Sequence, residues 1–446
     1  MSNLDGKSRR TVAGIAAALA LAVVAGPAQA TGGPPTYAVY APPSGLGTGA
    51  GEPSIGVDER TGAVMYIAGL QMLKASFNDA ASPAMATWQD VSTTLTSLTT
   101  FDPILYTDQK LGRTFVSQLL PTTVSLMAYT DDDGATWNVS QGAGIASGVD
   151  HQTVGGGPFH RGGLLGSLPQ LYPHAIYYCS QDIALASCAV SLTGGSTFGP
   201  AVPIYNLTQC SGLHGHVKVA PDGTAYVPNK NCNGQAGVAV STDNGVTWTV
   251  RTVPGSTAGS SDPSVGIGAD GTLYLGWSNG DGHAYVAVSS SQGAAWSNIT
   301  DVGASLGIQN IAFPAVVAGD GDRAAYAFLG TTAGGNATGD DPNFPAVWHL
   351  YVAHTFSRGA SWTTVDVTPG DPVQRGTICT AGTTCGTTRN LLDFLGIAAD
   401  GEGRVLVGYA DGCVGACVGG GANTFAAEAR IARQTGGQRL YAVFDP

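Results

Sequence analysis

Charge is scarce in this 446-residue chain: Asp, Glu, Lys and Arg make up 11% of it, against about a quarter in an ordinary soluble domain. There are five Lys and four Glu, and the net charge is −12. So few cations exclude a nucleic-acid binder, which needs a basic patch to neutralise phosphates. The hydrophobic share is an ordinary 43%, which excludes disorder, because a disordered chain combines low hydrophobicity with high net charge. Gly (65) and Pro (24) are abundant, yet no three-residue period accompanies them, and that excludes collagen. Beyond the first thirty residues no apolar run is long enough to cross a bilayer. What is present is a Gly-rich, turn-rich, acidic chain with length for a large core, a composition that indicates an all-β protein.

The first thirty residues stand apart. Lys7, Arg9 and Arg10 precede an apolar run from Val12 to Ala25, and Pro27-Ala28-Gln29-Ala30 follows. A basic start, a short apolar stretch and an Ala-x-Ala exit predict a secretory signal peptide over 1–30, cut after Ala30, with export to the periplasm or medium. Ser8-Arg9-Arg10-Thr11-Val12 resembles a twin-arginine signal, which implies export in the folded state. The eight cysteines agree with an oxidising compartment. They fall into local pairs, Cys179/Cys188, Cys210/Cys232, Cys379/Cys385 and Cys413/Cys417, and predict disulfides between neighbours, one of 105 possible connectivities. Zinc-type Cys-x2-Cys spacing does not occur.

A short pattern recurs along the rest of the chain: Ser/Thr, any, Asp, any, Gly, any, Thr/Ser, Trp. Ser241 to Trp248 and Thr130 to Trp137 carry it in full. Ser191 to Phe198, Ser289 to Trp296 and Thr355 to Trp362 have Thr193, Ser291 and Ser357 in place of the Asp. The five copies start 61, 50, 48 and 66 residues apart. The pattern resembles the Asp box of the sialidase-like, BNR-repeat β-propellers. That resemblance implies a hairpin turn between the third and fourth strands of each blade. The Asp would accept turn N–H groups, the Gly would supply a positive φ and the aromatic would pack between blades. Around the boxes, strands alternate about Asp-Gly turns, as in His216 to Ala220, Pro221-Asp222-Gly223, then Thr224 to Val227. Unit openings fall at Glu52, Asp102, Asp150, His216, Asp262, Asn310 and Asp393. They predict one propeller domain over 31–446, with seven blades of four antiparallel strands; six blades is the alternative.

In that topology the boxes lie on the back, and the inner-strand openings ring the mouth of the central channel on the front. Nearly every blade then delivers a polar group to one rim: Glu52, Asp102, Asp150-His151, His214 and His216, Asp262, Asn310 and Asp393. Each acid before a proline also reads as an ordinary turn residue; the convergence of the whole set is what predicts a ligand site. Tyr178, Trp277 and Tyr409, near the front loops, read either as sugar-stacking rings or as core.

The resemblance implies glycoside hydrolysis, here by a secreted sialidase-like enzyme on extracellular glycans. Two carboxyls must then flank one bond. The expected catalytic residues are Asp262 and Asp393 first, with Asp150 and Glu52, and Arg389, His151, His214, His216 and Asn310 are expected to bind substrate. Arg113, Arg161 and Arg375 are further possible clamps for a substrate carboxylate. The family's arginine-bearing motif near its start is replaced here by Gly51-Glu52-Pro53-Ser54-Ile55. No cofactor is implied. A divalent metal on His214-Gly-His216 and Asp150-His151 stays open, as does oligomeric state. The alternative function is a non-catalytic secreted propeller that binds carbohydrate or protein. A glycan or other small polar ligand is the expected partner, with no nucleic acid and no membrane span.

Overall fold

Antiparallel strands alternating about tight turns close into seven sheets of four strands, the blades of a β-propeller. The computed structural model describes residues 33–96, 98–120, 124–141, 150–182 and 185–446, and the side chain of Asp150 lies outside that set. The expected signal peptide over 1–30 lies outside it too. Residues Gly33–Pro446 form one compact unit. The inner strands are Ser54–Val57, Pro103–Asp108, Asp150–Pro158, Lys218–Val219, Ser264–Ile267, Asn310–Ala318 and Gly396–Ala399. Each touches the next, and the seventh returns to the first, so the ring is closed around an axial channel. Seven blades are found rather than six, including the second unit, Pro103 to Val139.

All five expected turns link the third and fourth strands of their blades. In each, the Gly and the residue before it have positive φ, as in Asn244 (62°) and Gly245 (81°), the left-handed pair that matches strand twist in a tight hairpin. The opening hydroxyl always accepts the Gly N–H, from Ser241 Oγ at 2.9 Å to Ser191 Oγ at 2.8 Å. Asp243 accepts the Thr247 N–H (2.9 Å) and hydroxyl (2.5 Å). Where the Asp is missing a hydroxyl takes over: Thr193, Ser291 and Ser357 each accept the N–H four residues on, at 2.9–3.0 Å. The aromatics pack where blades meet, Trp248 against Tyr177 and Trp362 against Tyr274.

The core lies between blades. Second strands such as Val64–Ala68 and Leu273–Ser278 are buried at every residue, because each face of a blade packs on a neighbour. Tyr178, Trp277 and Tyr409 belong to this core and are almost fully buried, which removes them as sugar platforms. The last blade is built from both ends of the chain. Gly396–Ala399, Val405–Asp411 and Glu428–Gly436 supply three strands, and Thr36–Tyr40 adds the outermost one. All four disulfides join sequence neighbours, as the spacing predicted. Among the described residues no helix is long and apolar enough to cross a membrane.

Candidate functional site

Acid-Pro and His-rich segments leave the front loops and turn sharply into the inner strands. Four non-glycine residues at these openings, Glu52, His151, Phe313 and Leu392, have φ between 55° and 61°. This left-handed conformation costs bulky side chains energy, and strain of that kind gathers at functional sites.

Two charge clusters result. In the first, Glu52 is 3% exposed and hydrogen-bonds to Asp393. Burial, then the neighbouring charges of Asp102 and Asp393, push the Glu52 carboxyl well above its usual range. Asp393 in turn receives a two-pronged ion pair from Arg389 at 2.5 and 2.6 Å. Asp102 Oδ2 accepts the Gln152 N–H at 2.5 Å. Gln152 Oε1 in turn accepts hydroxyls from Ser117, Ser125 and Tyr178 at 2.7–3.0 Å.

In the second cluster Asp262 lies between Lys230 Nζ (3.0 Å) and His151 Nε2 (2.9 Å). Burial alone would raise its pKa, but these two partners hold its carboxyl well below the usual range. His214 stacks edge-on to His151 with ring centroids 5.2 Å apart, and its Nδ1 donates to the Gly215 carbonyl at 2.9 Å. Burial, reinforced by His151, lowers His214 to about 4. Burial, then Lys218, lowers His216 to about 3; its ring meets Phe394 edge-on at 4.5 Å. Both histidines are therefore neutral at pH 7. Among the described residues no group of three or more His, Cys, Asp or Glu is arranged to hold a metal. The His-x-His pair spends one ring on Gly215 and packs the other on Phe394.

Asp262 stands between two cavities. On the front is a cleft of about 720 Å³, lined by Lys230, Asp262, Arg389, Asp393, Phe101 and the Thr380–Thr383 loop. The Cys379–Cys385 disulfide closes that loop, and Asp340 ties its far side through Gly386 N–H (2.8 Å) and Thr388 Oγ1 (2.6 Å). Behind Asp262 the axial channel, about 510 Å³, is lined by the inner strands of all seven blades.

The expected site residues divide accordingly. Asp262, Asp393 and Arg389 line the cleft; Glu52 is buried behind Asp393. His151 and His216 face the channel, and His214 is sealed beneath them. The Asp150 side chain lies outside the described residues. Asn310 lines neither cavity: its Nδ2 donates to the Ala333 carbonyl at 2.8 Å. A bulge between Ala312 and Ala315 separates it from the mouth, where Phe313 takes the strained position. Of the four arginines, only Arg389 reaches the cleft. Arg113 pairs with Asp131 beside a back-face turn, Arg375 holds the Cys417 carbonyl at 2.8 Å, and Arg161 lies in the connection between the first and second strands of blade 3. Sequence reasoning puts Lys230 on a front loop without pairing it to Asp262 and misses Gln152; each lies 32 or more residues from the acid it contacts, and nothing local marks the pairing.

No protein-family profile matches the chain, and no curated protein sequence matches it. Among solved structures it is similar to a Dyadobacter fermentans protein of unknown function, with TM-score 0.45 and 10% identity over 90% of this chain and 98% of that one. It is also similar to the intramolecular trans-sialidase of Ruminococcus gnavus, with TM-score 0.41 and 11% identity over 86% and 94%. A third is AofleA of Arthrobotrys oligospora, with TM-score 0.43 and 12% identity over 75% and 90%. No activity is carried over from likenesses at this level.

Proposed function

We propose that this is an exported glycan-active propeller, a glycoside hydrolase whose chemistry sits in the front cleft. The observation that carries the proposal is the placement of two carboxyls on one cleft, Asp393 on Arg389 with buried Glu52 behind it and Asp262 between Lys230 and His151. Burial and neighbouring acids push the Glu52 carboxyl up, while Lys230 and His151 hold Asp262 down. Glycosidic cleavage asks for that division between a proton donor and an anion. In this reading the proton given to the leaving oxygen comes from the Glu52 side of the cleft. Asp262 faces the positive charge that develops on the sugar, while Arg389 and His151 fix the two carboxyls in place. With one arginine in the cleft, an arginine cluster for a substrate carboxylate is not assembled among the described residues, so the reading favours uncharged glycans over sialosides. Four disulfides support an oxidising compartment and hence export.

A second reading, a non-catalytic glycan-binding propeller, is favoured by one feature: a cation faces each cleft carboxylate. A panel of chromogenic glycosides, a sialoside included, separates the two when run with Asp262→Asn and Asp393→Asn. Turnover by the wild type that falls at least 100-fold in both variants supports the hydrolase. Glycan-array binding without turnover, weakened by either variant, supports the binder. Neither turnover nor binding overturns both.

A further inference from the structure

The three rings that the sequence offered as sugar platforms are core, yet the front cleft has an aromatic of its own. Phe101 lines that cleft and is 64% exposed, more than any other Phe, Tyr or Trp among the described residues. A phenyl ring left in water forgoes the free energy of burial, and a ligand that covers it recovers that energy. The backbone beneath the ring is fixed. The Phe101 N–H donates to the Leu119 carbonyl at 3.0 Å, and the Leu119 N–H donates to the Asp102 carbonyl at 3.4 Å. The ring therefore stands on an extension of the blade 2 sheet, placed before a ligand arrives.

Leu213 and Leu392 line the same cleft. Phe101 precedes Asp102, Leu213 precedes His214 and Leu392 precedes Asp393, so the turns that deliver the charge clusters also set apolar groups beside them. The cleft cations are both engaged, Lys230 with Asp262 at 3.0 Å and Arg389 with Asp393 at 2.5 Å. A ligand carboxylate would have to displace one of these acids from its cation. An uncharged pyranose needs no such exchange. Its hydroxyls lie around the rim of the ring for polar groups, and its C–H bonds form a face for an aromatic.

We propose that Phe101 is the stacking platform of the front cleft, and that its ligand is a neutral pyranose laid with its C–H face on the phenyl ring. The inference rests on the glycan-active reading above and adds the residue that sets specificity within it.

The test uses the full chain. Calorimetric titration with oligosaccharides of glucose, galactose and mannose, and with a sialylated oligosaccharide for comparison, gives Kd; KM and kcat are measured where turnover occurs. At least one neutral oligosaccharide should bind, and more tightly than the sialylated one. Phe101→Ala should raise Kd or KM about tenfold, the worth of covering one phenyl face. Any kcat should stay within about twofold, because a platform away from the reacting bond holds ground state and transition state alike. Phe101→Trp should bind as the wild type does, whereas Phe101→Leu, apolar but without a flat face, should behave like Phe101→Ala. The side chain is exposed, so the urea midpoints of the three variants should match that of the wild type. No binding or turnover of any of these glycans overturns the inference together with the reading it rests on. Glycan binding that Phe101→Ala leaves unchanged, or that Phe101→Leu retains in full, overturns the platform alone. Tighter binding of the sialylated oligosaccharide overturns the neutral class.

Discussion

Glu52 and Asp262 open equivalent strands with the same local grammar, acid-Pro-Ser, yet one carboxyl is pushed up in pKa and the other is held down. The difference comes from partners far along the chain: Asp393 and Asp102 around Glu52, Lys230 and His151 around Asp262. Each makes its own prediction. Because the folded-state pKa of Glu52 is raised, its contribution to stability is fully present below the ordinary glutamate value and is lost as pH rises through the folded value. Glu52→Gln, which mimics the protonated carboxyl and still donates to Asp393, should therefore flatten that loss and exceed the wild type in stability at pH 8. Urea unfolding of both proteins from pH 5 to 9 checks this, and parallel curves would remove Glu52 as the source. Asp262 has the opposite sign: its contribution is present above the ordinary aspartate value and disappears as pH falls through its depressed one. Asp262→Asn leaves Lys230 and His151 without their anion and should cost about 3 kcal/mol at pH 7 by the same measurement. The acids themselves were visible in the sequence as a rim. Their pKa shifts were not, since desolvation and partners 32 to 341 residues away leave no local mark.

At the scale of the hairpin, the repeat could be read because it specifies a backbone shape. Positions four and five of each turn need positive φ, and Gly records that need at position five. What sequence identity obscured is that Thr193, Ser291 and Ser357 perform the acceptor role of the missing aspartates: the turn selects an oxygen, not a residue type. Asp243 accepts from both the N–H and the hydroxyl of Thr247 and from Ser241 Oγ, whereas Ser291 accepts a single N–H at 3.0 Å. Asp243→Ala should therefore destabilise by about 1–2 kcal/mol, and the exposed Ser291→Ala by under about 0.5 kcal/mol, both measured as shifts in urea midpoint. Strand limits were less legible where the site intervenes. The inner strand expected over His216 to Ala220 is only Lys218–Val219, because the Val217 N–H turns to Thr153 Oγ1 and Pro228 on the partner strand has no N–H to donate; pairing resumes at His214 with Asn229. The cleft loop gives a further test. Replacing Cys379 and Cys385 with Ser removes a short closed loop worth about 2 kcal/mol. It should loosen Thr380–Thr383 and, on the proposed function, weaken glycan binding in a titration, while the rest of the ring, held by six other blades, keeps its circular dichroism.

For the molecule as a whole, the seven unit openings were countable from the sequence, but the closure was not. Thr36–Tyr40 alternates like any short strand, and nothing in Thr-Tyr-Ala-Val-Tyr says that its partner is Glu428–Gly436 near the other end of the chain. Deleting residues 33–40 should leave the last blade with three strands and an open edge, which invites pairing with a second copy. A lower Tm, together with association seen by size-exclusion chromatography, is the expected outcome, and a synthetic peptide spanning 33–41 should reverse it in part. The same closure sets a clock on biosynthesis. The strand made first is needed last, and at about 5–20 residues per second roughly 390 residues of synthesis separate Tyr40 from its partner, on the order of 20–80 s. For that interval the early blades can stack, but the ring has no end to its sequence of neighbours. The exposed first strand must wait, unpaired, for the last segment to leave the ribosome.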